Sequence, residues 1–140
     1  MAHKARHGDV VKVTHTLYSH YGIYVEEPDG PRVIHYTGEN GPQDINGIVR
    51  ETPISVFLNG ETEYSVCYLD PKKYKTIYSG KKTVERAKKK LGKRGYNLLL
   101  NNCEHFAVWC KTGEKKSSQV RDLFWDVPSN LFSFLEEMFL

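Results

Sequence analysis

Regular patterning begins after Gly8-Asp9, where Val10-Val11-Lys12-Val13 forms a short β-branched run. Such side chains fit a pleated, half-buried surface, so the run reads as a strand. Leu17-Tyr18-Ser19 leads into a second one, His20-Tyr21-Gly22-Ile23-Tyr24-Val25. Glu26-Glu27-Pro28-Asp29-Gly30-Pro31 then supplies turn chemistry: prolines that fix φ and a glycine free to take φ > 0. Arg32-Val33-Ile34-His35-Tyr36 is the return strand, and the expected unit is a β-hairpin with a six-residue loop. Side chains alternate along a strand, so His20, Gly22 and Tyr24 share one face, and Val33 and His35 share a face of the partner. The two histidines are thereby placed to meet across the pair.

From Gly38 to Gly60 the alternation fades into Gly, Asn, Pro and Asp around one apolar stretch, 54–58, and the segment is expected to be irregular or weakly stranded. Tyr64-Ser65-Val66-Cys67-Tyr68 reads as a further strand. Over residues 83–91, Val84, Ala87 and Leu91 recur at helical spacing, with Gly92 as a C-cap and lysines on the other faces. A second helix opens at Asn101-Asn102-Cys103-Glu104. Asparagine is a preferred N-cap, Glu104 suits a first turn, Phe106, Val108, Trp109 and Cys110 provide a buried surface, and Gly113 closes it. In the tail, residues 131–140 repeat apolar side chains with helical period after Pro128-Ser129. The organisation is then a domain over 1–128 followed by an amphipathic helix over 129–140, packed on the core or lying at a membrane interface.

At 140 residues there is room for one domain and no second half to form a cleft. A chain 39% hydrophobic and 26% charged is neither disordered nor a bundle of spans. Its longest apolar run, 106–110, falls far short of the roughly 18 residues that cross a bilayer. The basic residues before Gly8-Asp9 are not followed by an apolar segment, so no secretory signal is read. Three cysteines, Cys67, Cys103 and Cys110, form no paired framework and favour free thiols in a reducing compartment, with the cytoplasm as the default.

The net charge of +3 is unevenly spread. Residues 81–94 carry Lys81, Lys82, Arg86, Lys88, Lys89, Lys90, Lys93 and Arg94 against Glu85 alone, a local +7 that leaves −4 for the remainder. Such a patch suits an anionic membrane surface, or a solvated helix face that merely confers solubility. Nucleic acid is not an expected partner, because no aromatic stacking motif accompanies the lysines.

Chemistry concentrates at Cys103. A thiol is nucleophilic as thiolate, and the free N–H groups and partial positive charge of a helix start favour that anion. The same N–H groups, that of Cys103 itself first, could bind the oxyanion of an acyl-transfer intermediate. Cysteine catalysis also needs a base and a group that orients it, and His20 and His35 are placed to be that pair. Cys110 lies seven residues on and reads as a buried small hydrophobe. His3, His7 and His15 read as surface or structural residues. His105 follows Cys103 too closely to face it and is expected to be structural. With no C-x-x-C or H-E-x-x-H spacing, no metal or other cofactor is expected.

These residues resemble a known family. His20-Tyr21-Gly22-Ile23-Tyr24-Val25, Val33-Ile34-His35 and Asn102-Cys103-Glu104-His105-Phe106 are similar, in that order, to the H-box and Asn-Cys-Glu-His-Phe motifs of lecithin:retinol acyltransferase-like proteins. Ser118-Gln119-Val120-Arg121-Asp122 resembles a segment of the animal phospholipase A/acyltransferase branch. The resemblance implies an α+β, circularly permuted papain-like (NlpC-type) fold, with an antiparallel sheet packed against the cysteine-bearing helix. It implies that Cys103 is the nucleophile, His20 the general base and acid, and His35 the group that orients His20. It also implies a glycerophospholipid substrate whose acyl group passes to Cys103 as a thioester, and then to water or to an amine or alcohol. Tyr21 stands where many animal members carry Trp and keeps an aromatic wall; with Tyr24 it is a candidate for substrate binding. Many animal members also end in a hydrophobic anchor that this sequence does not show, so the expectation is either a longer chain cut short or weaker peripheral attachment through the basic patch and the 131–140 helix.

Two other readings share the motifs. Related permuted thiol folds include peptidases and amidases. Some picornaviral 2A proteins carry the H-box and Asn-Cys motifs as non-catalytic interaction modules, a reading that predicts a blocked or misaligned Cys103.

Overall fold

Five strands form one antiparallel sheet in the order β4-β3-β2-β1-β5, where β1 is Val10–Thr14, β2 Ser19–Glu27, β3 Gly30–Thr37, β4 Ile48–Pro53 and β5 Ser65–Cys67. Among the described residues, three helices accompany it: α1 (Ile54–Leu58), α2 (Gly80–Lys88) and α3 (Asn102–Thr112). These elements come from a computed structural model that describes residues 4–16, 19–38, 47–94 and 102–114. His3, the 118–122 segment and the tail helix expected over 131–140 lie outside the described residues.

The sheet is covered on both faces, which is why β2 is buried from Ser19 through Val25. Alternation sorts its side chains. Tyr21, Ile23 and Val25 join Ile34, Tyr36 and Val49 in a cluster with Val84 and Ala87 of α2 and Phe106, Ala107 and Cys110 of α3. Tyr24 points the other way, into a cluster with Val11, Val13, Val33, Ala5 and Phe57 of α1. Each fully buried Ile or Val contributes about 1.5–3 kcal/mol relative to exposure, so the two clusters hold α3 and α1 against opposite faces.

The hairpin is tighter than its sequence suggests. Pairing continues through Glu26↔Pro31 and Glu27↔Gly30, leaving Pro28-Asp29 as a two-residue loop in place of six. Backbone pairing at the solvent end of a ladder does not require apolar side chains, so the glutamates extend β2. The stretch expected to be irregular or weakly stranded contains β4 and α1. β4 ends the strand order beside β3, with the Val49 backbone also donating to the Lys93 carbonyl and accepting from the Gly92 N–H, and it tolerates Arg50 and Glu51 while its buried Val49 side chain faces the core. Pro53 ends β4 and is the N-cap residue of α1.

The basic helix begins earlier than its apolar stripe. Ser79 Oγ caps α2 by accepting the Lys82 N–H at 3.2 Å. Val84 and Ala87 are buried, but Leu91 lies beyond the helix and is 39% exposed. Three of the basic residues are engaged internally. The Arg86 guanidinium donates to the carbonyls of Cys110 at 3.0 Å and Trp109 at 2.9 Å, which lie at the C-terminal end of α3, and sits over the Trp109 and Tyr78 rings. Lys90 lies over Trp109, and Lys88 approaches Glu27 at 3.7 Å. Gly113 then closes α3 at φ +79°, its N–H donating to Trp109.

Candidate active site

The histidine pair is a product of the hairpin register. Continuing the ladder from Ile23↔Ile34 sets His35 opposite Gly22, so His20 and His35 are diagonal neighbours with no side chain between them. A Cβ on Gly22 would come within 2.5 Å of Val33 Cγ1 and 3.2 Å of the His35 Cβ, so the strands meet too closely here for any larger residue. His20 Nε2 lies 2.8 Å from His35 Nδ1, and His35 Nε2 lies 2.8 Å from Thr52 Oγ1 on β4. The three side chains thus run diagonally across β2, β3 and β4. The Phe57 ring packs 5.2 Å from His20 and 5.3 Å from His35, sealing both from water.

Burial fixes the charge of the pair. Loss of solvent, aided by proximity of His35 and His15, holds His20 well below the usual histidine range. Burial, aided by the Arg50 guanidinium, holds His35 down at about 3. Both rings are neutral at pH 7.

Cys103 is the second residue of α3 and 9% exposed. Its sulfur reaches the β2 backbone, where the thiol donates to the Ser19 carbonyl at 3.8 Å and the Tyr21 N–H points at the sulfur. These groups flank His20 in sequence, but strand alternation turns the imidazole to the α1 face, against Phe57, whereas Cys103 belongs to the α3 cluster on the other face of the sheet. No hydrogen bond joins the thiol to the imidazole: His20 Nε2 is held by His35, and Nδ1 is buried without a partner. The expectation that the helix start lowers the thiol pKa is reversed, because burial pushes it up to about 12. The N–H groups of Tyr21, Glu104 and Cys103 itself favour the anion, while the Glu104 carboxylate opposes it. In a site this dry, the partial charge of a helix end does not offset desolvation of a thiolate.

The remaining candidates have other surroundings. Tyr21 is buried, hydrogen-bonded to Glu104, and its hydroxyl is pushed strongly towards the neutral form by that burial and by the carboxylate. Tyr24 is buried and stacked on Tyr64. Both rings therefore pack inside the domain. Cys110 is buried in the α3 cluster, where desolvation raises its thiol to about 12. His7 Nδ1 accepts the Glu26 N–H, His15 approaches Glu61 at 3.6 Å, and His105 is half-buried on α3. Three contributors escaped sequence reasoning. Thr52 lay in a segment read as irregular or weakly stranded, where the β-branched Ile48 and Val49 were the strand signal. Phe57 belonged to an apolar stretch without an assigned face, and the Ser19 carbonyl is a backbone group that no side-chain pattern reveals. Among the described residues, no group of three or more His, Cys, Asp or Glu side chains is placed to hold a metal ion, and no helix is long and apolar enough to cross a membrane.

Comparison with known proteins gives this arrangement relatives. The family model described as lecithin retinol acyltransferase matches residues 3–116. The human lecithin retinol acyltransferase is 32% identical over 133 residues, covering 80% of this chain and 56% of that protein. The mouse protein of the same name is 29% identical over 136 residues, covering 84% and 58%. Mouse phospholipase A and acyltransferase 3 is 30% identical over 129 residues, covering 82% of this chain and 75% of its own length. This chain thus spans under three fifths of the lecithin retinol acyltransferases it matches. With the family model matched from the first strand to the end of the cysteine helix, the chain belongs to the lecithin retinol acyltransferase family.

Proposed function

We propose that the protein is a thiol-dependent acyltransferase and phospholipase A, in which Cys103 takes an acyl group from a glycerophospholipid and passes it to water or to an amine or alcohol acceptor. One observation carries the reading: the Cys103 sulfur lies on the backbone groups flanking His20, whose Nδ1 is buried and unpartnered while Nε2 is held by His35. The order of elements, histidine strands first and cysteine helix after, supports a circularly permuted papain-like arrangement.

In this mechanism the His20 side chain, packed on the α1 face in this structure, turns toward α3, and the thiol proton leaves the Ser19 carbonyl for its Nδ1 as sulfur attacks the ester carbonyl. The oxyanion takes backbone N–H groups at the start of α3, that of Cys103 among them. His20 returns the proton to the departing lyso-lipid oxygen, the C–O bond breaks, and a thioester remains. His20 then accepts a proton from the acceptor, which attacks the thioester and releases the Cys103 thiolate to be reprotonated. His35 orients His20 throughout. The exposed lysines of the 81–94 segment are proposed to rest on anionic lipid.

Intact-protein mass spectrometry after incubation with phosphatidylcholine vesicles tests the covalent step. An added acyl mass in the wild type, absent in Cys103→Ala, is expected, and its decay with and without phosphatidylethanolamine separates transfer from hydrolysis. Absence of both adduct and released lyso-lipid defeats the proposal. That outcome would favour a non-catalytic interaction module, a reading for which the thiol's bond to Ser19 instead of His20 speaks.

A further inference from the structure

We infer that Thr52 is a positioning residue whose hydroxyl determines which ring nitrogens of His35 and His20 carry protons. The inference rests on the proposed role of His20 for its kinetic arm, but its central measurement does not.

The argument is one of counting protons along the diagonal. Thr52 has one hydroxyl proton, and Oγ1 donates it to the Pro53 carbonyl at 3.1 Å. A carbonyl can only accept. At the 2.8 Å contact with His35 Nε2, Thr52 must therefore be the acceptor, and Nε2 carries a proton. A neutral imidazole carries only one, so His35 Nδ1 is bare. His35 Nδ1 then accepts at its own 2.8 Å contact, and His20 Nε2 is the donor. His20 has spent its single proton there, which leaves the buried, unpartnered Nδ1 as a lone pair. Nδ1 is the nitrogen that a base must keep empty to receive a thiol proton.

The opposite direction is equally compact on paper. If Thr52 donated to His35, every proton along the row would shift by one nitrogen, and His20 Nδ1 would be a donor unable to accept. The Pro53 carbonyl, at the junction of β4 and α1, breaks that symmetry. An edge-strand threonine far from His20 in sequence thereby determines whether that histidine can accept a proton at Nδ1.

The test is a long-range ¹H–¹⁵N correlation on histidine-labelled protein, which distinguishes the two neutral tautomers by their nitrogen shifts. Wild type is expected to show Nε2–H at both His20 and His35. Thr52→Val keeps the shape but leaves the His35 Nε2–H without an acceptor, so the proton is expected to move to Nδ1 at His35 and, in turn, at His20. Turnover should fall about 10-fold or more at little change in KM, since general-base catalysis is worth about 10²–10⁴-fold. Thr52→Ser should restore both the tautomers and the rate. An Nδ1–H signal at His20 in the wild type overturns the inference without recourse to any variant, and so do unchanged tautomers in Thr52→Val. Wild-type tautomers as expected, with no acyl-enzyme formed from lipid, uphold the relay and defeat only the functional reading.

Discussion

The thiol of Cys103 is bonded to the carbonyl of Ser19, one residue short of the histidine that would take its proton. This contact and the pKa of about 12 describe a protonated thiol, and burial likewise keeps the His20 imidazole neutral. Alkylation by iodoacetamide should then be slow at neutral pH. It should rise close to tenfold per pH unit through and beyond about 8.5, the ordinary thiol value, without levelling off. A plateau below that value would reveal a preformed thiolate–imidazolium pair and contradict this description.

The buried histidines also couple stability to acid. In the unfolded chain each titrates near 6.5, whereas burial keeps His20 well below that value and His35 at about 3. The unfolded state therefore binds more protons in this window, and stability, fully present above about 6.5, is lost as pH falls towards 3. For each histidine the slope is about 1.4 kcal/mol per pH unit. Urea midpoints between pH 7 and 4 should show a steeper loss for the wild type than for His35→Gln, which retains hydrogen-bonding groups but does not titrate. Parallel curves would show that His35 is not held neutral by the fold.

Gly22 separates a packing effect from a catalytic one. An alanine there brings Cβ to 2.5 Å from Val33 Cγ1 and 3.1 Å from the Ile34 carbonyl, so β3 must shift beside His35. Overpacking of this kind costs about 1–3 kcal/mol. Gly22→Ala should lower the melting temperature and slow acyl-enzyme formation together. Adding Val33→Ala relieves the closest clash and should recover part of both, a coupling that a double-mutant cycle measures. Strict additivity would mean the two positions do not compete for space.

How much of this was legible in the sequence follows from what each contact depends on. The meeting of His20 and His35 depends on alternation in two recognisable strands, and the structure joins them at 2.8 Å. The closure of α3 at Gly113, with its positive φ, depends on local chemistry that sequence also carries. The thiol pKa came out with the wrong sign because a helix start is visible in sequence and depth of burial is not. β4 stood out only as part of an irregular or weakly stranded segment, because such a strand can alternate weakly and keep Arg50 and Glu51, and Thr52 drew no notice with it. The Ser19–Cys103 bond joins a backbone carbonyl to a side chain 84 residues away, a contact that only the finished fold specifies.

Phe57 closes the site from the α1 side, packed on both imidazoles and fully buried. Phe57→Ala should cost about 3–5 kcal/mol and open space for water beside the rings. Water returns part of the lost solvation, so the His35 pKa should rise from about 3 towards 6.5. NMR titration of the ring protons checks this. A His35 that stays neutral down to the same pH would assign its shift to Arg50 and the surrounding strands instead of to the phenylalanine.

The basic segment divides into residues that hold the fold and residues that do not. Arg86 braces the C-terminal end of α3 through the Cys110 and Trp109 carbonyls, whereas Lys81, Lys82, Lys89 and Lys93 are exposed. At an anionic surface each exposed lysine is worth about 1 kcal/mol, and that attraction is screened by salt. Changing these four lysines to glutamate should weaken sedimentation with phosphatidylserine-containing vesicles. It should also abolish the salt dependence while leaving thermal stability nearly unchanged. Arg86→Ala should do the reverse, lowering stability through the lost carbonyl bonds and ring contacts with little effect on vesicle binding. Vesicle binding that ignores the four reversals would move the membrane contact to another face and leave the lysines as a solvating surface.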